Sequence, residues 1–140
     1  MTRGACIFCG IVRGELEAAV VARGDGWVAF LDRGPVFKGH VLVVPTVHRE
    51  TIVDLEPPEI EPLFSAVRRI AAVVPEALGA GGTFVAMNNK ISQSVPHLHV
   101  HVVPRQKGDG LRGFFWPRVK YAGPEEIESY RARLAAALGA

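Results

Sequence analysis

Residues 94–105 read Ser-Val-Pro-His-Leu-His-Val-His-Val-Val-Pro-Arg, and within them His97, His99 and His101 alternate with Leu98, Val100 and Val102. In an extended strand successive side chains point to opposite faces, so this spacing predicts three imidazoles on one face and three aliphatics on the other. A rise of about 3.3 Å per residue sets neighbouring histidines roughly 6.5–7 Å apart along the backbone. The aliphatic face can pack on a core while the histidine face looks into a site. Three of the chain's five histidines fall on this one face, which is more than a solvated strand surface calls for. Two chemistries remain open to them: metal ligation, or nucleophilic and acid–base catalysis.

The rest of the chain reads as a small α+β domain around that strand. Residues 18–22 and 27–31 are apolar, strand-like runs separated by turn chemistry at Arg23-Gly24-Asp25-Gly26. Further strands are predicted over 39–45 and 83–87. Between them the pattern changes period: Ile60, Leu63, Phe64, Val67, Ile70, Ala71 and Val74 recur at three and four residues, the stripe of an amphipathic helix from Pro57 to Ala77. Pro57 and Pro58 suit its first turn, and Pro75 is expected to end or kink it. A short C-terminal helix is predicted from Pro124 to Leu138. The expected architecture is an antiparallel sheet of about five strands, one long helix packed on it and one short C-terminal helix, in a single domain over 1–140.

Composition removes several function classes. The chain has 140 residues, enough for one real core, and is 49% hydrophobic and 21% charged. A net charge of +2 with scattered Lys and Arg argues against a nucleic-acid partner. No apolar run approaches the roughly 18 residues of a membrane span, and the start Met-Thr-Arg-Gly-Ala-Cys lacks a signal-peptide stretch. A soluble cytoplasmic protein is the expectation.

Several side chains outside the triad carry chemistry. Both cysteines lie in one Cys-x-x-Cys, Cys6-Ile7-Phe8-Cys9, which in a reducing compartment reads as a metal half-site or a redox dithiol. His48 and His97 are candidates to complete a closed Cys₂His₂ set. Asp32 ends the second strand before the breakers Gly34 and Pro35, and His40 opens the third. The loop Asn88-Asn89-Lys90-Ile91-Ser92-Gln93-Ser94 places amide and hydroxyl groups beside the histidines, a composition suited to an anionic phosphoryl group. Leu111 to Arg118 is dense in aromatics and arginine, either tail packing, a dimer contact or a specificity element that stacks a base and holds phosphates.

His97-Leu98-His99-Val100-His101-Val102-Val103 resembles, without departure, the His-φ-His-φ-His-φ-φ signature (φ apolar) of the histidine triad superfamily of nucleotide hydrolases and transferases. The resemblance runs from about Cys6 to Arg105, with 106–140 as an extension. It implies that His99 is the nucleophile at the α-phosphorus of a nucleotide, with His101, His97 and His40 supporting it. It implies that Asp32 takes the ribose hydroxyls, that Phe8 and Ile11 lie against the base, and that Asn88, Gln93 and Ser94 contact phosphate. It further implies structural zinc on Cys6, Cys9, His48 and His97, a purine nucleotide substrate of adenosine type, and a homodimer. The loop itself departs from the family in lacking a Gly-rich middle. Two other classes stand beside this reading: a metal-dependent hydrolase with zinc on all three triad histidines, and a non-catalytic nucleotide-binding module.

Overall fold

The structure is a computed structural model that describes residues 5–112 and 118–139. Five strands, β1 (Val20–Gly24), β2 (Trp27–Leu31), β3 (Val41–Pro45), β4 (Gly82–Ala86) and β5 (Val100–Arg105), form one antiparallel sheet in the order β1-β2-β3-β5-β4. Central β3 is buried at every position. Its register puts Ala29, Val43 and Val100 in one row across the sheet, and Phe30, Leu42 and His101 in the next. Because side chains alternate, those rows face opposite sides.

Each side has its own core. On one, helix α2 (Pro57–Leu78) lays Leu63, Ala66, Val67, Ile70 and Val74 against Trp27, Ala29, Val41, Val43, Leu98, Val100 and Val102. Full burial of each such aliphatic contributes roughly 1.5–3 kcal/mol relative to exposure. On the other, a six-residue helix α1 (Ile7–Val12) packs Phe8, Cys9 and Ile11 on Val28, Phe30, Leu42 and Val44. The aliphatics of the triad stretch thus belong to the α2 core, as the alternation predicts.

Local differences from the sequence reading have physical causes. β1 starts at Val20 and keeps Arg23 and Gly24, since Gly24 pairs with Trp27 and leaves a two-residue Asp25-Gly26 loop. Gly26 at φ 87° supplies the positive φ that such a tight hairpin requires. α2 continues through Pro62 and Pro75 to Leu78. Pro75 lies one turn from the end, where a lost backbone bond matters least, and Gly79 at φ 67° caps the helix. Helix α1 and a single 3-10 turn, Ile52–Asp54, have no counterpart in the sequence reading.

The triad itself straddles the start of β5. His101 is in the strand, whereas His97 and His99 precede it. Ladder pairing with β3 stops at Val43–Val100. Beyond it the Leu98 N–H donates to the Arg49 carbonyl at 2.6 Å, so the loop after β3 takes over from the ladder. Arg49 is anchored in turn to Glu59 of α2 at 3.0 Å.

The chain divides into two compact units, the second beginning at Gly110. Within that second unit, α3 (Pro124–Leu138) holds Tyr130 edge-on to Tyr121 and under the Arg133 guanidinium, 4.3 Å from the ring centre. The aromatic and arginine stretch Leu111–Arg118 lies largely outside the described residues. No helix among the described residues is long and apolar enough to cross a membrane.

Candidate functional site

Cys6 caps the N-terminus of helix α1 and its sulfur accepts the Cys9 N–H at 3.5 Å, so Cys6 and Cys9 lie one turn apart on the same side. Their sulfurs meet two histidines from distant segments. Cys9 Sγ lies 3.2 Å from His48 Nδ1 and 3.5 Å from His97 Nδ1, and Cys6 Sγ lies 3.4 Å from His97 Nδ1. The four ligand atoms all fall within 4.8 Å of one another, neither cysteine is in a disulfide, and only His48 is not fully buried. Zinc–sulfur and zinc–nitrogen bonds of about 2.3 and 2.05 Å at tetrahedral angles separate S and N by about 3.6 Å. The spacing therefore fits an S₂N₂ zinc. His97 Nε2 donates to the Pro45 carbonyl at 2.9 Å, which fixes the tautomer and frees Nδ1 for ligation.

The middle histidine is oriented the opposite way. His99 Nδ1 donates to the His97 carbonyl at 2.8 Å, so Nε2 carries the free lone pair. The ring is buried, edge-on to Phe8 at a centroid distance of 5.1 Å and to His101 at 5.0 Å. Phe8 also makes edge contacts with His97 and Phe30.

A third tautomer is set by a backbone amide. The Val36 N–H donates to His40 Nδ1 at 3.1 Å, so the His40 proton resides on Nε2 and points to His101 Nδ1 at 2.9 Å. His101 must then carry its own proton on Nε2 and acts as a donor. Burial, with the neighbouring His99 and His40 adding to it, holds the His101 pKa down to about 4, so the ring stays neutral near pH 7. Burial also lowers the pKa of His40, opposed by Asp32, whose Oδ2 stands 3.7 Å from His40 Nε2. Asp32, His40 and His101 are close enough to resemble a cation site. The proton on His40 Nε2 already occupies the position a cation would need. The three triad histidines do not form a metal-binding group among the described residues, because His97 turns to the cysteines.

These groups border a cleft of about 900 Å³, whose wall includes Phe8, Ile11, Asp32, Ser94, His99 and His101. Asp32 Oδ1 accepts the Gly34 N–H at 2.9 Å, which leaves Oδ2 for other partners. Asn88 and Gln93 are not part of that wall. The Gln93 amide is committed at both ends, accepting the Lys90 N–H at 2.9 Å and donating to the Glu50 carbonyl at 2.6 Å. Asn88 Nδ2 donates to the Ser92 carbonyl. Where the sequence lacks glycine, Lys90 (φ 73°) and Ser92 (φ 62°) take the left-handed conformation themselves. The sequence reading did not single out Glu17 and Arg33, which also line the cleft. Polar residues in an irregular segment carry no periodic signal, and the backbone partners at Pro45 and Val36 cannot be read from side-chain identity.

Comparison with known proteins agrees with this geometry. The HIT domain matches residues 13–108. The adenosine 5'-monophosphoramidase of Schizosaccharomyces pombe is 32% identical over 127 residues, covering 89% of this chain and 92% of the yeast enzyme. A HIT family protein from Bacillus subtilis superposes with a TM-score of 0.85 at 33% identity, covering 94% of this chain and 96% of that one. A zinc-bound histidine triad family protein from Mycobacterium smegmatis superposes with a TM-score of 0.73 at 32% identity, covering 97% of both chains. With its sheet, its histidine motif and two thirds of its length matched in this way, the chain belongs to the HIT domain family.

Proposed function

We propose that this protein hydrolyses purine nucleotides at the α-phosphate through a covalent nucleotidyl-histidine, with a nucleoside phosphoramidate or a dinucleoside polyphosphate as substrate. The observation that carries this reading is the His99 tautomer: Nδ1–H is bound to the His97 carbonyl, and Nε2 keeps its lone pair in a ring that borders the cleft. His99 Nε2 attacks the α-phosphorus in line, and the bond to the amine or phosphate leaving group breaks. Water then cleaves the P–N bond to release the mononucleotide and restore the free imidazole. The His101 Nε2–H supplies a hydrogen bond to charge that builds on the phosphoryl oxygens or leaving group, and the Ser94 hydroxyl lies on the same wall. Asp32 Oδ2 accepts from the ribose hydroxyls, and Phe8 and Ile11 face the base. Adenosine phosphoramidate, named for the yeast relative, is the first substrate to test.

Zinc at Cys6, Cys9, His48 and His97 is part of the proposal. A closed four-ligand set leaves no open position, so the ion ties α1, the segment after β3 and the triad stretch together. The chain works as one HIT domain with its C-terminal extension, in the cytoplasm, as a homodimer. β4 supports pairing with a second copy, since it is a sheet edge with Val85 exposed.

The test is the variant His99→Ala. It should lose about 10⁴-fold or more in turnover, the scale of nucleophile loss, while mononucleotide binding survives. Acid-free denaturation of wild-type protein during turnover of labelled substrate should trap label on the chain, and His99→Ala should trap none. Near-wild-type turnover in the variant would remove the reading. Binding without turnover in the wild type would make the protein a nucleotide-binding module.

A further inference from the structure

The apolar end of the cleft contains one unexpected group. The cleft wall includes Ile7, Phe8, Ile11, Leu16, Ala18 and Ala19, and one acidic residue, Glu17, lines it among them. Apolar and aromatic walls grip any base and read none. Glu17 is exposed and has no hydrogen bond or ion pair with the described residues. Arg33, also on the cleft wall, forms no ion pair with it.

The position of Glu17 is fixed from both sides. Before it, the Glu15 and Leu16 amides donate to the Gly10 carbonyl at 2.9 and 3.2 Å. The Leu16 side chain fits against Gly10 so closely that a Cβ there would stand 2.8 Å from Leu16 Cδ1. After it, the Leu31 amide donates to the Ala19 carbonyl at 3.0 Å, next to Asp32. Glu17 is therefore strung between α1, which supplies the base wall, and the strand end that supplies the ribose carboxylate. With the base placed on Phe8 and Ile11 and the ribose at Asp32, as proposed above, the outer edge of the base is directed toward this segment.

We propose that Glu17 reads the Watson–Crick edge of the base and makes guanine the preferred purine of this site. A carboxylate only accepts hydrogen bonds. Guanine presents two adjacent donors there, N1–H and the N2 amino group, which match the two carboxylate oxygens. Hypoxanthine keeps only N1–H. Adenine offers the N6 amino group, but its N1 lone pair faces the second carboxylate oxygen and repels it. Adenosine nucleotides are accepted by the walls, and guanosine nucleotides are selected by the edge. This inference rests on the nucleotide-hydrolase reading and deepens it, by naming the base.

The experiment is calorimetric titration of the intact protein with GMP, IMP and AMP, for the wild type, Glu17→Ala and Glu17→Gln. A paired base-edge contact discriminates by roughly 5- to 150-fold, and partial exposure places this one near the lower end, at about tenfold. The expected wild-type order is GMP tightest, IMP intermediate and AMP weakest. In Glu17→Ala the GMP-to-AMP ratio should fall to within about twofold, with AMP binding somewhat tighter as the N1 repulsion disappears. Glu17→Gln, which accepts one donor instead of two, should lie between. AMP binding as tightly as GMP to the wild type, or a GMP preference that persists in Glu17→Ala, would overturn the assignment of Glu17 and leave the hydrolase reading intact. Failure of all three nucleotides to bind the wild type would instead overturn both.

Discussion

Replacing His40 tests whether a backbone amide sets the chemistry of the triad. The Val36 N–H holds His40 Nδ1 as an acceptor, which directs the His40 Nε2–H at His101 Nδ1 and leaves His101 Nε2–H as a donor. His40→Phe keeps the volume of a ring that is 3% exposed and removes both bonds. Losing a preorganised donor outright in a transition state costs about 10²–10³-fold in kcat. Here the donor is not deleted, because an unguided His101 still adopts the productive tautomer part of the time. The expected loss is therefore about 10- to 100-fold in kcat, with KM nearly unchanged, since the contact strengthens only as charge develops. Val36 is exposed, so water can satisfy its amide, and the stability loss should be about 1–2 kcal/mol from the deserted His101 nitrogen. His40→Gln is the decisive companion, because its side-chain NH₂ reaches the former Nε2 position and restores a donor to His101. It should recover about half of the lost activation free energy. The assay is steady-state hydrolysis of adenosine phosphoramidate, paired with ¹⁵N NMR of the His101 ring. His101 should show one Nε2–H tautomer in the wild type and in the His40→Gln variant, and a mixture in His40→Phe. Equal activity of the two variants, or an unmixed His101 tautomer in both, would refute the argument.

Protein purified without chelator should contain about one zinc per chain, and Cys9→Ser should abolish it with a large drop in melting temperature, as a structural site worth about 10 kcal/mol of binding implies; metal-free protein of unchanged stability would count against it. Asp32→Asn should keep the Gly34 bond but lose the anionic acceptor, so the preference for ribose over 2'-deoxyribose mononucleotides should narrow about tenfold or more, measured by dissociation constants for both sugars on both proteins. The pH dependence follows from His101 and His40, whose folded pKa values lie below the ordinary value of 6.5. The unfolded chain binds these protons first, so the stability they contribute is fully present above about pH 6.5 and is lost as pH falls toward about 4. Denaturant titrations across that range should show a slope from His101 of somewhat less than about 1.4 kcal/mol per pH unit, because the folded and unfolded titrations overlap and the difference in bound protons stays below one, and His101→Gln should flatten it.

How much of this was legible in the chain depended on whether the signal was periodic. The alternation from His97 to Val102 predicts which side each residue faces, with Leu98, Val100 and Val102 in one core and the imidazoles on the other side, although the regular strand begins only at Val100 and the Leu98 N–H pairs with the Arg49 carbonyl instead of the ladder. The same rule predicts α2, whose stripe from Leu63 to Val74 is the buried one. Strand order is not legible, since Val43 chooses Val100 as a partner through packing across the sheet. α1 is too short at six residues for a period to register, although its two cysteines are visible as a pair. Gln93 illustrates a different limit. Its identity offers a phosphate donor, but the fold engages both ends of the amide within its own neighbourhood.

The sheet's two separate cores bear on how freely such a protein can change. Leu98, Val100 and Val102 pack with α2, while His97, His99 and His101, one residue away in each case, border the cysteines, Phe8 and the cleft. A single stretch thus carries two messages interleaved letter by letter. A mutational library confined to the α2 side can exchange aliphatics for others of similar volume, and drift in melting temperature, without altering which atoms face the substrate. A library on the other side has no such latitude, because Phe8 touches both His97 and His99 and stands in the cleft wall. Recruitment of the scaffold to new substrates should therefore proceed by change at the rim, at positions such as Glu17 and Arg33, ahead of either core.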